Sequence, residues 1–548
     1  MSKQNKLRII PIGGLGEVGK NMTVYEYGND LLIVDAGLMF PEYDMIGIDY
    51  IIPDFENYLQ DKKDRVRGII ITHGHEDHTG AIQHLLEMVN APIYATRLTR
   101  GLVEVKLERN GKAGKADLRT INAGDKVQIG VFSVEFFHVS HSIPDAVGLG
   151  IETPAGLVVH SGDYKLDHTP VDNWPTDYAK LAEFAQRGVL ALLADSTNAT
   201  EPGWTQSERI IDGGLDQVFK KAEGRVLVAT FASLISRMQQ VANAAERHGR
   251  KIAFTGRSMV DNMNMARELG YVDFSERLVV SLEKSLSMPD NKVVLMCTGS
   301  QGEPRSIMGR LANGTNRMFD VRKGDTIVLS SHPIPGNEES VYRTINNLFR
   351  RGANVIYESI APVHVSGHAS QEEIKMLIQL VRPKYLIPIH GELRMLKQHA
   401  KLAQDMGMPE ENTLVVENGQ IIEFEDGEIK LGERIPGGYI FVDGSGVGDV
   451  DRNIVQERDS LGRNGVILVN LNVDQKTGRL SGKPEIITRG FMMPDELDDI
   501  LGGLHSQVQS AVSKSNGNLE RNVLQAIKSY LYDKTKRSPF IFVSVNRG

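Results

Sequence analysis

Apolar residues along the first two hundred positions fall into short runs separated by glycine turns. Residues 7–12, 22–27, 30–35, 68–72, 93–95, 131–139, 157–160 and 189–195 alternate apolar with polar or are wholly apolar, the patterns of half-buried and fully buried strands. Helical spacing replaces them at 79–88 and near 98–108. From about 204 to 360 the rhythm changes to helix then strand. Helical 207–221 leads into a strand at 225–230, helical 236–248 into one at 251–255, and strands follow at 292–297 and 326–330. That is the grammar of a parallel sheet with crossover helices. After Pro362 a histidine-rich strand–loop–helix style returns. The glycine-rich VDGSGVGDV beyond Gly438 marks a boundary. The tail from Asp451 reads as a small α/β unit, with strands at 465–473 and 540–545 and helices at 495–513 and 519–532.

Composition narrows this picture only in places. A chain of 548 residues is too long for one core, so two or three domains are expected. With 41% hydrophobic and 24% charged residues it is ordinary globular material. No stretch approaches the roughly 18 apolar residues of a membrane span, and the apolar run near the N-terminus is too short for a secretory signal. The single cysteine, Cys297, excludes an internal disulfide framework and thiolate metal sites, which points to a reducing cytoplasm. Any metal must therefore rest on His, Asp or Glu. The net charge of −8 argues against a wholly basic surface but leaves room for a local basic channel.

Gly14 to Gly19 spells the dinucleotide fingerprint after a strand, with Asp35 at a plausible ribose distance. The mechanism needs a helix directly after the glycines, yet residues 21–28 read as a strand. The same segment nearly spells a P-loop, but Asn21 stands where Ser or Thr is needed. A glycine turn lying close to something else, the active site being one candidate, is the reading adopted.

The chemistry concentrates in Thr72-His73-Gly74-His75-Glu76-Asp77-His78. A buried strand stops at a tight loop and a helix begins just after it. His73 and His75, two apart in an extended loop, point the same way. Asp77 and His78, at the helix start, can face a second ion. Imidazole with carboxylate suits zinc, manganese or iron at a catalytic site.

This HxHxDH pattern resembles the metallo-β-lactamase superfamily, and the resemblance implies further roles. Asp35, ending an apolar strand, matches the residue that orients a ligand. His141 matches the third-motif ligand; nearby His138 lies within a strand and reads as structural, as does His160. Asp163 matches the carboxylate that bridges two ions. Asp195 in DSTN, His368 in SGHAS and His390 in IHGE resemble motifs A, B and C of the β-CASP nucleases. Within that group the text PIGGLGEVGKN, THGHEDHTGA, VSHSIPD, DSTNA, SGHASQEE and PIHGE, running along nearly the whole chain, is similar to the bacterial ribonuclease J family.

That resemblance implies an α/β architecture: a metallo-β-lactamase αββα sandwich with an inserted β-CASP parallel-sheet domain and a small C-terminal α/β domain. The expected limits are 1–205 and 361–438 for the sandwich, 206–360 for the insertion, 439–450 for a linker and 451–548 for the tail. His73, His75 and His141 would hold one divalent ion, and Asp77, His78 and His390 the other, with Asp163 between. Zinc is expected, with manganese or magnesium as alternatives. Asp77, Asp195 and His368 carry catalysis, His368 as general acid placed by Asp195. Ser233, Leu234, Ile235, His364, Val365, Ser366, Gly367 and His368 are the family's phosphate-binding positions, and Gly47, Asp49 and Asp443 match a structural calcium site. The implied activity is hydrolysis of single-stranded RNA bearing a 5′-monophosphate, by 5′-to-3′ exonucleolytic and endonucleolytic cuts in RNA maturation and decay. A homodimer or homotetramer is expected, with RNA-degradation partners and no membrane. A β-CASP DNA nuclease, a non-catalytic RNA-binding paralogue and a thioester or lactam hydrolase on the same fold are the competing readings.

Overall fold

The computed structural model describes residues 6–42, 44–112, 114–475, 477, 479–515 and 518–547; the side chains of 494–499 lie outside the description. The chain divides into two compact units, one of Met1–Phe40 with Tyr50–Ile440 and one of Pro41–Asp49 with Phe441–Gly548.

In the first unit two sheets pack face to face. One runs, in spatial order, Glu428–Arg434, Gln420–Glu425, Leu7–Gly13, Met22–Tyr27, Asp30–Val34, Val66–Ile71, Ile93–Ala95, Leu118–Thr120. The other runs Tyr385–Ile389, Val189–Asp195, Gly156–His160, Val147–Thr153, Phe132–His138, Lys126–Ile129. Leu7, Tyr25, Leu32 and Ile70 of the first sheet meet Phe132, Phe136, Leu149 and Leu193 of the second in one buried core. Helices Tyr178–Arg187 and Gln371–Val381 cover the outer face of the second sheet. Strands Tyr385–Ile389, Gln420–Glu425 and Glu428–Arg434 thus join sheets whose other strands all precede residue 196.

Between those segments lies a separate five-stranded parallel sheet, ordered Lys251–Phe254, Val293–Cys297, Val226–Ala229, Thr326–Leu329, Asn354–Ile356. Its strands are apolar at nearly every position because helices bury both faces.

Register aims the chemistry. Gly156–His160, Val189–Asp195 and Tyr385–Ile389 are mutually parallel, pairing His160 with Leu193 and Asp195 with Ile389. Asp163, Asp195 and His390 therefore leave the same edge of one sheet. Val66–Ile71 ends just before His73 on the facing sheet.

The second unit has a three-stranded sheet, Glu485–Arg489, Val466–Val473, Phe540–Arg547, under helices Pro494–Ser513 and Leu519–Thr535. The stretch 439–450, read from sequence as a linker, contains a short hairpin, pairing Val442 with Val447 and Asp443 with Gly446. Asp443-Gly444 is turn chemistry, with Gly444 at φ 59°. Among the described residues no helix is long and apolar enough to cross a membrane.

Candidate metal centre

Three imidazoles converge first. His73 Nε2 and His141 Nε2 each stand 3.1 Å from His75 Nδ1. The nitrogens of a tetrahedral site with bonds of about 2.0–2.1 Å lie about 3.3 Å apart, so the cluster has the spacing of ligands around one cation. Burial drives all three rings toward the neutral form, His75 down to about 4. Neutral imidazole is the form that binds a metal. The Nδ1–H of His141 donates to the Gly367 carbonyl at 2.8 Å, leaving Nε2 its lone pair.

A second cluster adjoins it. His78 Nε2 lies 3.5 Å from Asp77 and 3.2 Å from Asp163; His390 Nε2 is 3.4 Å from Asp77, and its Nδ1 is 2.8 Å from Asp163. Burial opposes charge on His78 and His390, but Asp163 and its carboxylate neighbours win, pushing His390 up to about 10 and His78 well above its usual range. Asp77 and Asp163, which burial would raise, are held low by those same histidines. His390 Nε2 is nonetheless buried without a hydrogen-bond partner. Cations among these groups would replace such protons and satisfy that atom. Donor chemistry, spacing and the orphaned nitrogen all fit divalent ions. Asp163, a member of the second cluster, also approaches the first, 3.6 Å from His73 and 3.8 Å from His141.

A third layer orients these groups. Asp35, buried at φ 63°, accepts from the Thr72 N–H at 2.8 Å and from His78 Nδ1 at 2.7 Å, so His78 Nε2 faces the carboxylates. His390 also sits at positive φ, 50°. A non-glycine residue persists there only when its surroundings over-determine it. His368 Nδ1 is 2.7 Å from Asp195, whose attraction outweighs burial and raises the imidazole above its ordinary range. Asp195 also accepts from the Thr197 N–H and hydroxyl.

The glycine turn proves to be part of this site. Leu15 and Glu17 bridge to Gly391, next to His390. Asn21, passed over in the sequence, donates its N–H to the Asp77 carbonyl at 3.0 Å and sets its amide 3.1 Å from His78 Nε2. Gly37 was missed too; a Cβ there would fall 1.6 Å from that same carbonyl. Asn21 in place of a P-loop Ser or Thr was the available signal; Gly37 gave none.

Other expected positions divide. Gly367 and His368 lie against His141 and Asp195, Ser366 beside them takes the Asn198 amide, and part-buried His364 has its Nδ1 buried and unpartnered. Ser233 lines a cleft with Gly74, Lys106, Arg109, Asn262 and Glu303. Leu234 and Ile235 have their side chains in the core, and their N–H groups bond the Phe231 and Ser233 carbonyls. Val365 is also core, leaving it only its backbone. His138 stacks on Trp174 and bonds Pro175, and His160 accepts from Gly162, so both are structural. In the second unit Asp443 pairs with Arg458 at 2.7 Å, that guanidinium fills the space a Cβ on Gly47 would need, and Asp49 accepts the Gly444 N–H. A protein cation, Arg458, thus stands against Asp443.

The comparisons with known proteins agree with the geometry. Residues 47–184 match a beta-lactamase superfamily domain, 223–348 the ribonuclease J beta-CASP domain, 352–416 a Zn-dependent metallo-hydrolase RNA specificity domain and 453–548 the ribonuclease J C-terminal domain. The chain is 41% identical to ribonuclease J2 of Bacillus subtilis, over 99% of both chains. It is 41% identical to ribonuclease J of Thermus thermophilus, over 100% of this chain and 96% of that one. The chain belongs to the ribonuclease J family. Its function is that of a metal-dependent ribonuclease. The fold alone is shared with the crystal structure of a protein of unknown function from Enterococcus faecalis V583, at a TM-score of 0.55 and 14% identity, covering 76% of this chain and 100% of that one.

Proposed function

We propose that this ribonuclease degrades and trims single-stranded RNA from a 5′-monophosphate end, with internal cleavage as a second mode, and leaves 5′-phosphate products. The observation that supports it is the pair of adjoining ligand clusters, with Asp163 within 4 Å of His73 and His141 and grouped with Asp195 and His368 on its other side. His73, His75 and His141 would hold one ion and Asp77, His78 and His390 the other, zinc being the first candidate and manganese the second. Bound divalent ions supply Lewis acidity, which lowers the pKa of water and neutralises charge growing on phosphoryl oxygens.

The chain's own groups do the rest. Asp35 and Gly367 fix which ring nitrogen His78 and His141 present. Asp195 holds His368 through Nδ1 and favours its charged form, leaving Nε2 to hand a proton to the departing 3′-oxygen. His364, Ser366 and Ser233 are the positions left to receive a terminal phosphate. A cytoplasmic setting and assembly as a dimer or tetramer complete the reading. The intact cluster weighs against a non-catalytic paralogue, and histidine at motif C weighs against a DNA nuclease.

End-group analysis of the products tests the chemistry. Fragments bearing 5′-phosphate and 3′-hydroxyl ends are expected; 2′,3′-cyclic phosphates would mean attack by the ribose and would overturn it.

A further inference from the structure

The strand Val189–Asp195 ends in a tight turn, with Ala199 N–H on the Ser196 carbonyl and Asp195 capping Thr197. This turn presents two side chains to the loop after Pro362. Asp195 takes His368, and Asn198 takes the backbone around it. The Asn198 amide nitrogen donates to the Ser366 hydroxyl oxygen at 2.8 Å and to the His368 carbonyl at 3.1 Å. A carbonyl can only accept, so the second bond decides which way the amide faces. It must present its NH₂ to Ser366 as well.

The consequence falls on the Ser366 proton. A serine hydroxyl has two lone pairs and one hydrogen. One lone pair takes the Asn198 amide, and the other takes the His368 N–H at 3.2 Å. The hydrogen is then the only part of the group left to interact. Among the described residues no acceptor bonds it. Ser366 is partly exposed, so that hydrogen can reach a ligand. The loop is fixed from below: the buried Lys165 ammonium donates to the Ser366 carbonyl at 3.2 Å, its charge balanced by Asp167 at 3.8 Å and Glu208 at 3.7 Å. A further observation points to a ligand here: His364, two residues away and part-buried, has a buried Nδ1 without a hydrogen-bond partner.

We propose that Asn198 is a positioning residue for end recognition: it locks the Ser366 O–H as an obligate donor to a non-bridging oxygen of the RNA 5′-monophosphate. The proposal rests on the 5′-end reading above. Asn198 does not touch the substrate; it acts by denying Ser366 every role except donor.

The test is the ratio of kcat/KM for 5′-monophosphate RNA to that for 5′-hydroxyl RNA of the same sequence. Any change at the shared reacting atoms, including displacement of His368, affects both substrates and cancels in the ratio. Asn198→Ala frees the hydroxyl to rotate and should lower the ratio about tenfold, the scale of one hydrogen bond to a charged group. Asn198→Asp is isosteric but turns the donor into an acceptor that captures the Ser366 proton, so it should lower the ratio further. Loss of the preference should appear mainly in KM. In a Ser366→Ala background, Asn198→Ala should cost nothing more, because residues acting through one hydroxyl are not additive. Thermal unfolding and metal content of each variant show that fold and ions are retained. An unchanged ratio in Asn198→Asp, or an equal cost of Asn198→Ala with and without the Ser366 hydroxyl, would overturn the proposal. A wild-type ratio near one would instead overturn the 5′-end reading on which it rests.

Discussion

Replacing Asp35 by asparagine separates the orientation of a ligand from its presence. The side chain is 2% exposed and, of the candidate ligands, bonds His78. As a carboxylate it accepts on both oxygens: Thr72 N–H at 2.8 Å on one, His78 Nδ1 at 2.7 Å on the other. Asparagine has a single acceptor oxygen. Whichever way the amide turns, either the Thr72 N–H or the His78 Nδ1–H faces an NH₂ group and is orphaned. A hydrogen bond to a charged group is worth about 1.5–3 kcal/mol, or roughly ten- to a hundredfold in an equilibrium. Outer partners of metal-bound histidines cost about 10–100-fold in metal affinity when changed, which is the same range. Asp35→Asn should therefore lose metal to a competing chelator at about ten- to a hundredfold lower chelator concentration than wild type, with a folded chain by circular dichroism. Wild-type affinity in a folded Asp35→Asn protein would refute the reasoning and leave Asp35 as a support of the Thr72 turn alone.

Three other expectations follow from the same geometry. His368→Ala should lose about 10²–10⁴ in rate, the usual share of a general acid, with metal content unchanged by elemental analysis; parallel metal loss would make it a ligand. Arg225→Ala should destabilise the inserted sheet by about 3–5 kcal/mol in denaturant unfolding, because it strands Asp325, at 1% exposure, without its partner; a loss under about 1 kcal/mol would show that water reaches the pair. Tyr271→Phe removes a 2.5 Å bond to Asp145, a strained residue at φ 67° four positions after His141. Hydrogen exchange across 141–147 should speed up about tenfold, and unchanged exchange would show that the Thr96 hydroxyl, on the Asp145 carbonyl, and the Leu98 N–H, on its carboxylate, hold Asp145 unaided.

What the sequence revealed follows from how local each signal is. The strand before His73 and the cluster behind it are contiguous, and the expected strands at 22–27, 93–95 and 189–195 match the observed ones. Val147–Thr153 was not among the expected strands, and two glycines interrupt its apolar pattern. They are there for space: a Cβ on Gly148 or Gly150 would meet the Phe137 or Phe184 ring at 2.3 and 2.4 Å. Helix Arg452–Asn464 escaped because only Val455 is buried on it, so no apolar stripe marks it. His141, Asp163 and His390 are far apart in the chain, Asp163 and His390 by 227 positions. No periodicity carries that information, and only the family resemblance brought them together before the structure did. Asn21 and Asn198 bond backbone carbonyls, of Asp77 and His368, which no residue pattern announces.

The most direct measurement is digestion of end-labelled, single-stranded RNA carrying a 5′-monophosphate, beside DNA of the same sequence, with manganese or with chelator, and with Asp77→Asn protein alongside. Mononucleotide release from RNA only, abolished by chelator and by the substitution, is the predicted result. RNA left intact by metal-loaded protein, or DNA cut in its place, would contradict a metal-dependent 5′-exoribonuclease.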